Sequence, residues 1–334
     1  MGAPDGDAGS DRVLNRDRLD PVGVSFIVVA AMGFGTLGPL ARFAADVGFT
    51  PVSFAFWRAA SAVVALLAFL ALGVNLRRAP HTPLRAIPRA EWVHLAIMGA
   101  FVAGTTVSLF FAFERTSIAT ALIVFYTFPA WVAMAAVPVL GEHLGWRRIA
   151  AIGLSGVGLV LLLAAPAQGN GGIDLIGVGL ALGASLCQTG FALVGAGGFR
   201  SVPPLQSAAL LRTFSAAIFL FALVPLLVLA GQGSTIVDPL GSSEAWLLIL
   251  AAGVVGAAIP AVLIIAGYRR VGPTRGAVLM LVEPVTGVLL AAWLLTERPT
   301  LVQLAGGLLV LVGAALVQLT PVSRSVPVSP VATE

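Results

Sequence analysis

Three ionisable side chains stand inside long apolar runs, where charge is expensive: Glu283, Arg58 and Arg212. At the centre of a membrane-spanning helix such a residue costs at least about 2.5–3.5 kcal/mol on insertion scales, so each is informative. Glu283 precedes Pro284 near the middle of its run and is the deepest-placed acidic residue. Two readings are open for it: a proton-coupling or cation-binding carboxylate facing a central cavity, or a permanently neutral carboxyl bonded to a neighbouring helix. Arginine stays charged, so Arg58 and Arg212 each need a carboxylate, a carbonyl or water. They can contact an anionic group of a substrate, pin one helix to another, or snorkel to an interface. Their recurrence 154 residues apart, once in each half of the chain, favours the pin.

Phe34, Trp57, Tyr126 and Gln188, with Thr105, Thr106, Thr127, Trp131 and Thr189, could line a cavity for a small amphiphilic molecule. Singly, each reads more simply as a helix–helix contact. Other chemistry is missing. There is no His-Glu-x-x-His, no Gly-x-Ser-x-Gly and no phosphate-binding glycine loop with lysine, so the chain is not expected to be an enzyme and no cofactor or metal is implied. An intramembrane enzyme acting on lipid would need a clustered nucleophile and base. A channel would need a ring of like charges or a filter-like loop, and neither is found. The single cysteine, Cys187, allows no intramolecular disulfide.

The elements that would position these residues follow from composition. The 334 residues are 58% hydrophobic and 10% charged, with a mean hydropathy of +1.00; soluble domains carry about 25% charged residues. Apolar runs of roughly 20 residues, long enough to cross a bilayer, follow one another with short breaks. They lack the alternation of barrel strands. The pattern predicts an all-α membrane protein with ten spans, near 22–45, 51–73, 91–113, 117–139, 147–165, 174–196, 204–230, 244–267, 274–295 and 300–319. Residues 1–20 and 320–334 read as loose cytoplasmic tails. Residues 21–166 and 173–319 read as two repeats joined by the turn-rich Ala167–Gly172. All the basic residues are arginine, and fourteen of the 19 fall on the tails and the even-numbered loops. By the positive-inside rule both termini are cytoplasmic. The pI near 10.5 is thus a topology signal and no sign of nucleic-acid binding.

The halves repeat. Phe111–Glu142 aligns with Ala266–Glu297 at an offset of 155, with identity only at Arg115/Arg270, Pro129/Pro284, Ala136/Ala291 and Glu142/Glu297. The layout is what recurs: a charged corner, an apolar run, a central proline, then a Glu about 20 Å further along a helix. Five spans per repeat is an odd number, so the second copy is inverted, as in many secondary transporters with midplane sites. Pro129 and Pro284 should kink their helices and free carbonyls near the site. Glu142 and Glu297 read as structural, capping or pairing at helix ends. Phe128 stands where copy two has Glu283. Gly33, Gly35, Gly38, Gly306, Gly307 and the pair Gly179-x-x-x-Gly183 would permit close helix approach.

Phe113–Ser117 (FERTS) before the Pro129 helix, Leu140-Gly141-Glu142 and the Gly153–Gly158 helix carry a family resemblance. So do Tyr268–Gly272 (YRRVG), Glu283-Pro284, Thr296-Glu297 and Ala305–Gly313, and Phe56-Trp57-Arg58 in the second span. In these features the chain resembles the EamA-type transporters of the drug/metabolite transporter superfamily. The resemblance implies two inverted five-helix halves around a central cavity, alternating access, and small organic substrates such as amino acids, often exported. Two departures are Thr296 in place of a glycine, and Gly33-Phe34-Gly35 where the family often has Trp-Gly; Phe34 is then the cavity-facing aromatic. The expectation is a multi-pass transporter of the cell (cytoplasmic) membrane that exports amino acids or related small metabolites. Its partners are a small-molecule substrate and the lipid bilayer, and a homodimer is compatible with it. An uncoupled facilitator and a non-transporting membrane scaffold are the alternatives.

Overall fold

The computed structural model describes residues 20–75, 80–140, 142–143, 145–164, 174–195, 199–320 and 323–324. The expected turn Ala167–Gly172 and most of both tails lie outside this set, as do the side chains of Glu142 and of residues 273–275. Ten helices are long and apolar enough to cross a membrane: α1 (Pro21–Asp46), α2 (Pro51–Gly73), α3 (Arg89–Arg115), α4 (Ile118–Val139) and α5 (Trp146–Leu163) in the first half. The second half has α6 (Leu175–Gly195), α7 (Pro204–Leu229), α8 (Ser243–Val271), α9 (Gly276–Leu294) and α10 (Leu301–Leu319). The only strand pairing among the described residues is a two-residue antiparallel ladder, Glu142–His143 with Ser323–Arg324.

Helix starts are fixed by local chemistry. Asp20 accepts from Val22 N at 3.0 Å at the head of α1, and Asp174 accepts from Ile176 N and Gly177 N at the head of α6. Ser117 caps α4, and Thr300 with Gln303 forms a capping box on α10. Each cap satisfies backbone N–H groups that a helix leaves open.

The main helix pairings are unchanged when α1–α5 are exchanged with α6–α10. Helix α3 lies along α6, and its mirror is α8 along α1. Helix α2 packs on α8 as α7 packs on α3, and α4 meets α6 as α9 meets α1. The pairs α2/α7, α4/α9 and α5/α10 each pack on their own counterparts. A two-fold relation between inverted repeats produces this pattern. Small residues set the closest crossings: a Cβ on Gly158 would lie 2.6 Å from Gly306 O, and one on Gly306 would lie 2.7 Å from Gly158 O. Gly33, Gly35 and Gly38 on α1 are likewise pressed against Pro260, the Glu283 carbonyl and Ile118. The Gly179-x-x-x-Gly183 expectation is corrected. Gly179 faces nothing within 4 Å and Gly183 only Ser108 at 3.8 Å, whereas Gly177 and Gly190 make the close approaches of α6 to α3.

Three helices are broken in mid-span. Helix α1 is interrupted at Thr36, between the segments Pro21–Gly35 and Leu37–Asp46. Helix α4 opens at Tyr126-Thr127, between Ile118–Phe125 and Phe128–Leu140. Helix α9 opens at Met280-Leu281, between Pro273–Leu279 and Val282–Leu294. Both latter breaks come just before Pro129 and Pro284, whose missing N–H groups weaken the ladder there. Two π-helical segments, Phe219–Leu223 in α7 and Ala251–Ala258 in α8, were not expected from the sequence. Each precedes a proline, Pro225 or Pro260, which accounts for the local shift of register.

Candidate functional site

The breaks in α4 and α9 face each other, and the site is built where they meet. The Tyr126 hydroxyl lies 2.9 Å from Glu283 Oε2 and 3.2 Å from Met280 O, the carbonyl freed at the α9 break. Tyr126 is 3% exposed, while Glu283 keeps part of its surface open. The backbone of Glu283 can sit this close to α1 because Gly35 has no side chain: a Cβ there would be 2.8 Å from Glu283 O. Phe128, which holds the position matching Glu283, flanks the same tyrosine with ring centroids 5.7 Å apart. Tyr268, on α8 with its ring against Gly276, is close enough to Glu283 and Tyr126 to interact with both electrostatically. Both tyrosines of the chain thus lie within electrostatic range of Glu283, and Tyr126 alone of the two is hydrogen-bonded to it. The role of Tyr268 went unread in the sequence, although a tyrosine count of two was a usable signal.

Arg58 stands on the buried face of α2, in register with Ala55, Ala62 and Leu66, and is 4% exposed. One guanidinium nitrogen, Nη2, donates to Gly256 O at 3.4 Å. That carbonyl is four residues before Pro260, which has no N–H to offer it, so α8 supplies the acceptor by its own break. The guanidinium also lies 5.8 Å from the Phe110 ring centroid, and its Nε has no partner. Arg212 is on the buried face of α7, between Ala209 and Ser215. Its guanidinium makes no hydrogen bond and no ion pair among the described residues. Arg58 lies within electrostatic range of both Arg212 and Glu283, so α2, α7 and α9 bring the three charges together. No carboxylate among the described residues lies within ion-pair distance of either arginine.

The remaining expected residues divide. Phe34 sits at the α1 break, half-buried, between Gly33 against α8 and Gly35 against α9. Gln188 is half-buried on α6, and its side chain makes no hydrogen bond among the described residues. Trp57 is not drawn in with the charges: its indole donates to Ile236 O at 2.8 Å and packs edge-on to Trp246. Below the α4 break, the Trp131 indole donates to Thr127 Oγ1 at 3.1 Å, and Thr127 meets Ser185 Oγ at 3.1 Å. This side-chain network fastens the break to α6. Glu297 is structural: both carboxylate oxygens accept from Ile118 N, at 3.1 and 3.0 Å, so the end of α9 in one repeat caps α4 of the other. Sequence reasoning missed two further clamps, Arg115–Asp174 at 3.0 Å and Arg270–Asp20 at 3.1 Å.

Comparison with known proteins agrees with this architecture. A curated relative, an uncharacterized transporter from Archaeoglobus fulgidus, is 27% identical over 294 residues, covering 88% of this chain and 95% of the relative. A solved crystal structure of a protein superposes with a TM-score of 0.58 at 22% identity, over 89% of this chain and 98% of that one, and bears on the fold alone. The model of the EamA-like transporter family matches residues 21–164 and again 175–319. With both halves matched, the chain belongs to the EamA-like transporter family and is a multi-pass membrane transporter.

Proposed function

We propose that the protein is a proton-coupled secondary transporter of the cell membrane, working by alternating access, with Glu283 as the coupling group. The observation that carries the coupling is the placement of one hydroxyl between two acceptors. With Glu283 ionised, the Tyr126 hydroxyl donates to Glu283 Oε2 at 2.9 Å. With Glu283 protonated, its own O–H donates to the Tyr126 oxygen, and the Tyr126 proton turns to Met280 O at 3.2 Å. Both protonation states are then hydrogen-bonded without moving the backbone. A buried group with satisfied partners in both states can load and release a proton at modest cost. The pseudo-two-fold packing supports alternating access, since two equivalent arrangements of the halves are built into the fold.

The substrates are amino acids or related small metabolites, and the direction is export, as the family resemblance implies. Both termini face the cytoplasm. Support comes from the arginines at the helix ends on the side of the termini: Arg85, Arg89, Arg147, Arg148, Arg200, Arg269 and Arg270, against Arg42, Arg115 and Arg298 opposite. Residues 21–166 and 173–319 are taken as the two repeats.

Flux into proteoliposomes, with and without an imposed pH gradient, tests the coupling. The wild-type protein should accumulate substrate against its gradient when protons flow the other way. Glu283→Gln should still equilibrate substrate but lose the accumulation. Unchanged gradient-driven flux in Glu283→Gln removes Glu283 from the mechanism. An uncoupled facilitator would instead show wild-type flux that ignores the proton gradient.

A further inference from the structure

The charges of the site do not balance. Arg58 and Arg212 contribute two positive charges and Glu283 at most one negative charge. Arg58 is 4% exposed, its Nε has no partner, and its one hydrogen bond among the described residues is a long one to a neutral carbonyl. Arg212, half-buried and within electrostatic range on the matching helix of the other repeat, makes no hydrogen bond or ion pair among the described residues. A buried cation left unpaired is strongly unfavourable, and arginine cannot relieve it by losing its proton. If the two arginines were only pins, their acceptors would be in place. The Gly256 carbonyl accounts for one N–H of Arg58 and none of Arg212.

We propose that Arg58 and Arg212 together bind the carboxylate of a monoanionic organic substrate, one arginine from each repeat. The proposal rests on the reading of these helices as the solute path, and it adds the substrate class. Three features choose the ligand. A guanidinium presents a planar fork of donors that matches a carboxylate in two-bond geometry. With Glu283 ionised the site carries one net positive charge, which a monoanion cancels and a phosphate dianion exceeds. The Phe110 ring, 2% exposed and 5.8 Å from the Arg58 guanidinium, makes that side of the site apolar. Phe110 also lines a small cavity with Arg42, Phe49, Phe54, Phe113 and Glu114. Acidic amino acids, which carry one net negative charge and an ammonium suited to Glu283, satisfy every one of these conditions.

The test is thermal unfolding of the purified full-length protein in detergent, at matched ionic strength, with acid and amide pairs as probes. The pairs are acetate with acetamide, benzoate with benzamide, and L-glutamate with L-glutamine. A carboxylate should raise the unfolding temperature saturably while its amide does not. In Arg58→Gln and in Arg212→Gln the half-saturating concentration should rise by at least about tenfold, because truncating one partner of a buried charged contact is costly. The acid–amide comparison needs only the wild-type protein, so a variant that fails to fold does not spoil it. If no carboxylate outperforms its amide, or if the stabilisation survives unchanged in either variant, the shared carboxylate site is wrong. Glu283→Gln separates this proposal from the coupling reading. It should keep the stabilisation by acetate and benzoate, which carry no ammonium for Glu283 to meet, while losing gradient-driven accumulation.

Discussion

Tyr126 has one proton to give and two acceptors within reach, which makes it the residue where the coupling proposal is most exposed. Tyr126→Phe keeps the ring, its packing on Phe125 and Phe128, and the shape of the break. It removes the only donor that reaches Glu283 Oε2 among the described residues. Leaving a buried acceptor unsatisfied costs about 1–3 kcal/mol, and more when it is charged, which is roughly a five- to 150-fold effect on an equilibrium or larger. Gradient-driven flux in Tyr126→Phe should therefore fall by at least about that factor and its pH profile should move, whereas Tyr268→Phe, whose hydroxyl makes no hydrogen bond among the described residues, should change little. Equal profiles for Tyr126→Phe and wild type would remove the hydroxyl from the proton's path. At this scale the sequence was half legible. Glu283, Arg58 and Arg212 announce themselves by their cost in an apolar run. That Tyr126 meets Glu283 was not readable, because the two are separated by 157 residues and joined only by the crossing of α4 and α9. Trp57 looked equivalent to Tyr126 by type and depth, yet its indole is spent on the Ile236 carbonyl.

At the scale of elements, backbone contact does what side chains do elsewhere. Helix α9 presents the Glu283 carbonyl to α1 at Gly35, with Thr286 Cβ equally close to the missing Cβ position, 2.8 Å in each case. Neither neighbour is the free end of a flexible chain. Gly35→Ala should cost about 1–3 kcal/mol through overpacking and lower the unfolding temperature in detergent. Gly153→Ala, with nothing within 4 Å, should be neutral or slightly stabilising, because alanine is the better helix former. If the two substitutions behave alike, the close approach at Gly35 is not as drawn. The ten spans were legible to within a few residues because hydropathy over 20 residues is a strong, local signal. The breaks at 126–127 and 280–281 were foreshadowed by Pro129 and Pro284. The π-helical stretch of α8 was not, although Pro260 stands in plain view. A proline only removes one hydrogen bond; whether the helix kinks, opens or shifts register depends on what takes the orphaned carbonyl, and here that is Arg58 from another helix.

Over the whole molecule, the two clamps at the helix ends constrain how the halves can move. Asp20 with Arg270 ties α1 to α8 on the side of the termini, and Asp174 with Arg115 ties α6 to α3 on the opposite side. The pairs are images of each other under the exchange of repeats. The hydrogen bond from Arg270 holds the Asp20 carboxyl below its ordinary 3.8. The Gly177 and Ile176 N–H groups, with Arg115 behind them, do the same for Asp174. A depressed carboxylate contributes fully above its unfolded pKa and loses that contribution as pH falls through the folded value, so both clamps hold at neutral pH. Alternating gates would have one clamp closed and its image open. Here both are closed in one structure, so under the proposed alternating access they would act as struts inside two pairs, α1/α8 and α3/α6, with the movement between the pairs. Joining the ends of one pair should then leave transport intact. In a Cys187→Ala background, Asp20→Cys and Arg270→Cys bridged by a short, reducible thiol cross-linker should carry solute at close to the unbridged rate. The equivalent bridge between Asp174→Cys and Arg115→Cys should behave the same way. Flux that stops on bridging and returns on reduction would mean that α1 parts from α8 in each cycle, and that the moving bodies must be drawn elsewhere.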